Sequence, residues 1–94
     1  MPGIGAPTLT SNPAPAIHSV AFAPNNRLLA SGGGMDGLIR LWDVSAEVPV
    51  ERAVFNGHKA PVDALTFAPD SKLLASGGND RTIRLWDVTT APAR

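Results

Sequence analysis

Apolar residues along this chain gather in short strand-like runs separated by turn signals. Val62 to Phe67 is one such run, Leu73 to Gly77 the next and Thr82 to Val88 a third. Pro69-Asp70-Ser71 and Gly78-Asn79-Asp80 stand between them as turns, and Val50 to Phe55 is a further strand candidate. Both parities of these runs are apolar: Leu73 beside Leu74, and Ile83 and Leu85 beside Trp86. A strand apolar on both faces is buried on both faces, so each sheet is expected to lie between two others. Alternation breaks at one place in each half, between Val62 and Leu65 and again between Ile17 and Val20. An extra residue there implies a β-bulge that re-aims Asp63 and His18.

The pattern occurs twice. Residues 22 to 33 read FAPNNRLLASGG and residues 67 to 78 read FAPDSKLLASGG; IRLWDV stands at 39 to 44 and again at 83 to 88. Phe22 matches Phe67 and Trp42 matches Trp86, but the second offset is one residue shorter than the first. The extra residue lies in Gly33-Gly34-Met35-Asp36, opposite Gly78-Asn79-Asp80. An insertion confined to a Gly-rich turn is tolerated by a loop and not by a strand.

Composition narrows the reading. Apolar residues form 44% of the chain and aromatics only 5%, so a packed core must rest on Leu, Ile, Val and Ala. The formal net charge is zero, without the basic excess of a nucleic-acid binder. The absence of cysteine excludes disulfides and thiolate metal sites. No signal-like start and no run of roughly 20 apolar residues is present, so a soluble, cytoplasmic protein without membrane association is expected.

The run GHKAPVDALTFAPDSKLLASGGNDRTIRLWDV, residues 57 to 88, resembles a near-complete WD repeat, and the likeness extends over roughly residues 6 to 88. The period of about 40–45 residues agrees with this family. The resemblance implies an all-β fold of two four-stranded antiparallel propeller blades. It also implies a structural tetrad of His58, Ser76, Asp80 and Trp86, in which the indole N–H only donates and the carboxylate only accepts. In the first copy Ser31, Asp36 and Trp42 match, but Asn12-Pro13 replaces Gly-His, so that tetrad is partial. In this family the bulge position, His18 and Asp63 here, often contacts partners beside the channel rim. Met35 and Asn79, just before the tetrad Asp, are similar to another contact position.

Sharper chemistry is not supported. His58, Ser76 and Asp80 could be mistaken for a catalytic triad, but a buried tetrad offers no accessible nucleophile. The Gly-rich runs lack the Lys-Ser/Thr sequel of a phosphate loop. Asp36, Asp43, Asp80 and Asp87 fall at matching positions of the two copies, which points to turn chemistry rather than a metal site. Arg40 and Arg84 are also matched and are expected to be solvated or paired on strands. No catalytic residue, metal or cofactor is expected.

Two blades cannot close a ring that needs about four to eight. Residues 5 to 11 align with 50 to 56, the fourth strand of the first blade, so they are placed to complete a neighbour's second blade. The expected organisation is an N-terminal segment at 1–15, a first blade at 16–56 and a second at 57–94 lacking its own outer strand. Copies would join head to tail into a closed homo-oligomer. A trimer would give six blades and a tetramer eight, and the tetramer is favoured because rings of about seven or eight blades are common. The expected function is a non-enzymatic scaffold for protein or peptide partners. The alternatives are a two-blade fragment of a larger WD-repeat protein with no activity alone, and a small-ligand-binding propeller.

Overall fold

The computed structural model describes residues 16–34, 37–45 and 47–89, all of whose regular structure is antiparallel β. β1 (Ile17–Phe22), β2 (Leu28–Gly33), β3 (Leu38–Asp43) and β4 (Val50–Asn56) form one meander in that order. β5 (Val62–Phe67), β6 (Leu73–Gly78) and β7 (Ile83–Asp87) form a second. The second sheet thus has three strands among the described residues. The N-terminal segment expected to supply a fourth strand, and residues 90–94, lie outside them.

Both expected bulges are present. The β1–β2 register shifts between Ile17 and Ser19, and the β5–β6 register shifts between Val62 and Ala64. Each leaves one residue without a cross-strand partner, His18 in the first sheet and Asp63 in the second. A third irregularity, between Leu41 and Trp42 against β4, had no counterpart in the sequence reading.

The turns repeat as faithfully as the strands. Ala23 and Ala68 each donate a backbone N–H to the carbonyl that opens the next strand, Leu28 and Leu73. Asn26 and Ser71 take left-handed backbone angles at the same turn position. In the second hairpin that conformation falls on Gly37 in the first copy and on Arg81 in the second. Gly37 has a further reason to be glycine: a Cβ there would come within 2.5 Å of the His58 carbonyl oxygen.

The two sheets pack face to face. Cross-strand partners place Ala30, Leu41 and Ala53 on one face of the first sheet, with Ile39 and Phe55 beside them. This face is buried with Val62, Phe67, Leu74 and Val88 of the second. Phe55 stacks on Trp86 across the junction, with centroids 4.9 Å apart and planes at 17°. The core is mainly aliphatic, as the composition requires, with aromatic rings at this seam. Ser19 Oγ donates to the Val62 carbonyl at 2.9 Å, and the Asn25 N–H donates to Ser71 Oγ at 3.0 Å. Each sheet therefore has one covered face, while its outer face, expected from the sequence to be covered too, exposes Val20 and Phe22 or Ile83 and Leu85.

Candidate functional site

The tetrad residues of the second repeat converge from two strands, a turn and the inter-sheet connection. Trp86 stands on β7, Ser76 on β6, Asp80 in the turn between them and His58 in the segment after β4. The Trp86 indole N–H donates to Ser76 Oγ at 2.9 Å. The Ser76 hydroxyl, its oxygen already an acceptor, gives its proton to His58 Nε2 at 2.7 Å. His58 Nδ1–H then faces both Asp80 oxygens at 3.2 Å. That order of donors assigns the tautomer. Ser76 and His58 are buried, whereas Asp80 and Trp86 are partly exposed.

Asp80 collects more donors than the tetrad supplies. Thr82 Oγ1 donates to Oδ1 at 2.7 Å and the Thr82 N–H at 3.1 Å, while the Lys59 N–H reaches Oδ2 at 3.0 Å. The Thr82 hydroxyl and the Lys59 N–H, helped by His58, hold the carboxyl far below the ordinary carboxylate range, against a smaller opposing effect of burial. Thr82 and Lys59 were missed in the sequence. The signal for Thr82 was there, as an Asp followed two residues later by a hydroxyl. It recurs at Asp43-Val44-Ser45 and Asp87-Val88-Thr89, where the side chains of Ser45 and Thr89 donate to the Asp and lower its pKa. Asp43 also pairs with Arg52 at 3.1 Å, so both carboxylates work in local turns.

In the first repeat Trp42 Nε1–H donates to buried Ser31 Oγ at 3.0 Å. Asp36 and Met35 lie outside the described residues, as does Asn12-Pro13. The two repeat-equivalent arginines part company. Arg40 is buried and pairs with Glu51 of β4 at 3.4 Å, whereas Arg84 Nε is buried with no hydrogen-bond partner among the described residues. Neither is the freely solvated strand residue that one of the two expectations allowed.

His18 and Asp63 are brought together. The sheets set the two bulges side by side, with His18 Nδ1 4.0 Å from Asp63 Oδ1 and both side chains substantially exposed. His18 also lies over Gly34, where an added Cβ would come within 3.0 Å of its Nε2. Asn79 belongs to the same end, since its N–H donates to the Pro61 carbonyl just ahead of β5, and its side chain is exposed. At the other end a cleft of about 150 Å³ between the sheets is bordered by Asn25, Arg27, Asp43 and Arg52.

Antiparallel meanders packed face to face, each pinned by a Trp–Ser bond and one by a full His–Asp relay, define a protein built of stacked β-blades. The chain belongs to the WD domain, G-beta repeat family, which matches residues 6–43 and 50–87. It is 38% identical over 72 residues to the CCR4-associated factor 4 homolog of Candida glabrata, covering 77% of this chain and 12% of that protein. It is 36% identical over 83 residues to the guanine nucleotide-binding protein subunit beta of Oryza sativa subsp. indica, covering 81% and 21%. Among solved structures it is similar to a chain in the crystal structure of the Mitotic Checkpoint Complex. The TM-score is 0.68 over 79% of this chain and 24% of that one, at 20% identity, a likeness of fold. The chain thus spans only 12% and 21% of the lengths of these two relatives. WD-repeat proteins typically mediate protein–protein interactions and are generally non-enzymatic scaffolds.

Proposed function

We propose that this chain is a non-enzymatic WD-repeat interaction module that presents the rim carrying His18, Asp63 and Asn79, together with Met35, to a protein or peptide partner. The observation that carries the reading is the pair of bulges, which takes His18 and Asp63 out of their ladders and sets them adjacent and exposed. The family's interaction role supports it, and so does the closed state of the tetrad. Ser76 Oγ is buried between the Trp86 N–H and His58, so it is not available as a nucleophile.

The same reading includes assembly with copies of itself, head to tail, in a tetramer rather than a trimer. Residues 5 to 11 would lie along the open edge of β7 as β4 lies along β3. The test of the rim is selection of peptides from a random library on the wild-type chain. Binding should fall at least tenfold when His18, Asp63, Met35 and Asn79 are changed to Ala together. Retained binding, with loss instead on changing exposed Glu51 and Arg52, would move the site to the outer edge.

A further inference from the structure

The repeat carries its own instructions for what covers the two open faces. The outer face of the first sheet holds Ile17, Val20 and Phe22, the counterparts of Val62, Leu65 and Phe67 in the second. The outer face of the second sheet holds Leu73, Ile83 and Leu85, the counterparts of Leu28, Ile39 and Leu41. Within the chain, these counterparts form or border the packed junction. Phe67 is 9% exposed where Phe22 is 68%, and Val62 is 0% where Ile17 is 44%. Ile39 is 0% exposed where Ile83 is 81%, and Leu41 is 1% where Leu85 is 69%. Identical or similar apolar types stand at both sets of positions, and only the cover differs.

The seat fits a strand of the same kind as the one that covers its counterpart. On the first sheet Val62 presses on Gly32, where an added Cβ would approach its side chain to 2.8 Å and Ser19 Oγ to 2.5 Å. On the second sheet the matching place is a hollow of about 220 Å³ lined by Ala64, Thr66, Ala75, Gly77 and Ile83. Gly77 has only the Ala64 Cβ near it, at 4.0 Å. The hollow stands open because nothing among the described residues covers it; Ala64 takes the place of Ser19 in its wall, and Ile17 takes the place of Val62 on the other open face. Ala64 has no hydroxyl, so the Ser19-to-Val62 bond has no counterpart there, and Ile17 brings one methylene more than Val62 to the hollow.

We propose that a second copy of this chain docks here, with Ile17 seated over Gly77 and Val20 and Phe22 laid against the face of Ile83 and Leu85. The register is that of the junction within the chain. The Asn25-to-Ser71 bond of that junction recurs as the Asp70 N–H donating to the Asn26 side-chain oxygen of the second copy. A net charge of zero leaves no strong repulsion to oppose the contact. The two surfaces differ, so the contact is heterologous and copies add in one direction. This rests on the head-to-tail assembly proposed above and names the surfaces that carry it.

Two variants of the full chain test it, Phe22→Lys on one face and Leu85→Lys on the other. Both introduce the same charge, so mixing them cannot pair opposite charges. Sedimentation velocity at tens of micromolar should show wild type as multimers and each variant alone weakened roughly tenfold or more, since each buries an unpaired charge. An equal mixture should form a 1:1 heterodimer and nothing larger, because one intact face of each kind remains. Far-ultraviolet circular dichroism checks that both variants fold, and Ile17→Lys with Ile83→Lys repeats the experiment on a second pair. Self-association of either variant at wild-type strength would overturn the proposal in favour of like-to-like contact. A multimeric wild type whose variants do not complement would leave self-assembly standing and remove these surfaces. A monomeric wild type would remove both.

Discussion

At the scale of single residues, Ser76 decides how the second blade is held. Its one oxygen accepts the Trp86 N–H while its proton goes to His58, so neither neighbour can be lost without orphaning a buried group. His58→Ala should destabilise the fold by about 1–3 kcal/mol, the range for a buried polar group left unpaired. A urea midpoint unchanged from wild type would refute this. The carboxyl end of the relay makes a different forecast. Asp80 has a pKa lowered by folding, so its stabilising contribution is complete above its unfolded pKa, near ~3.9, and is lost as pH falls through that value toward the folded one. Asp43 and Asp87 act with the same sign. Urea midpoints should decline as pH falls below about 5, and the gap between wild type and Asp80→Asn should narrow over that decline. The four tetrad members could be named from the sequence because repeat spacing fixes them. Of the donors that most depress Asp80, Thr82 carried a local signal, a hydroxyl two residues after an Asp, whereas the Lys59 N–H depends on how the turn folds over the preceding connection, which spacing does not encode.

At the scale of strands, a repeat lets each element be read twice. The bulges at His18 and Asp63 were legible because the same break in alternation occurs in both halves; the irregularity at Leu41 and Trp42 is set against β4, which has no counterpart among the described residues of the second repeat. Burial of Arg40 and of the Arg84 Nε was not legible, since a guanidinium beside Trp reads equally well as solvated. Their difference bears on what borders β7. Arg40 is answered by Glu51 on β4, whereas the residue aligned with Glu51 in the N-terminal segment is Ala6, and Arg84 Nε has no hydrogen-bond partner among the described residues. If residues 5 to 11 of a neighbour pair with β7, Ala6→Glu places a carboxylate opposite Arg84. The expected gain is up to about 1 kcal/mol per junction, the upper range for a surface ion pair, read as a higher Tm that is lost in the Arg84→Gln or high-salt control. A lower or unchanged Tm would argue that another segment borders β7.

At the scale of the whole molecule, the sequence conveyed that the faces are apolar but not which would be covered, because burial depends on how many blades stand side by side. The described residues supply one junction, between the first sheet and the second, and leave its two halves open at opposite ends. A heterologous contact repeated between copies either closes or grows without limit. If it closes with whole chains, the number of blades is even: a trimer gives six and a tetramer eight, with about seven, a common ring size for this fold, excluded. The wedge angle between neighbouring blades selects among these, and Ala21, Ala23, Ala64 and Ala68 on and beside the inner strands allow close approach without fixing the angle. The tetramer remains the expected species. Native mass spectrometry at micromolar concentration should show one dominant multiple of the chain mass, and deletion of residues 1 to 11 should shift it toward smaller species if those residues pair with a neighbour's β7 as proposed. A deletion variant that keeps the full multimer would assign closure to the apolar faces alone, through Ile17 over Gly77. A stable ring with an odd number of blades would mean that one chain can leave a blade unused, and the parity argument would then fail.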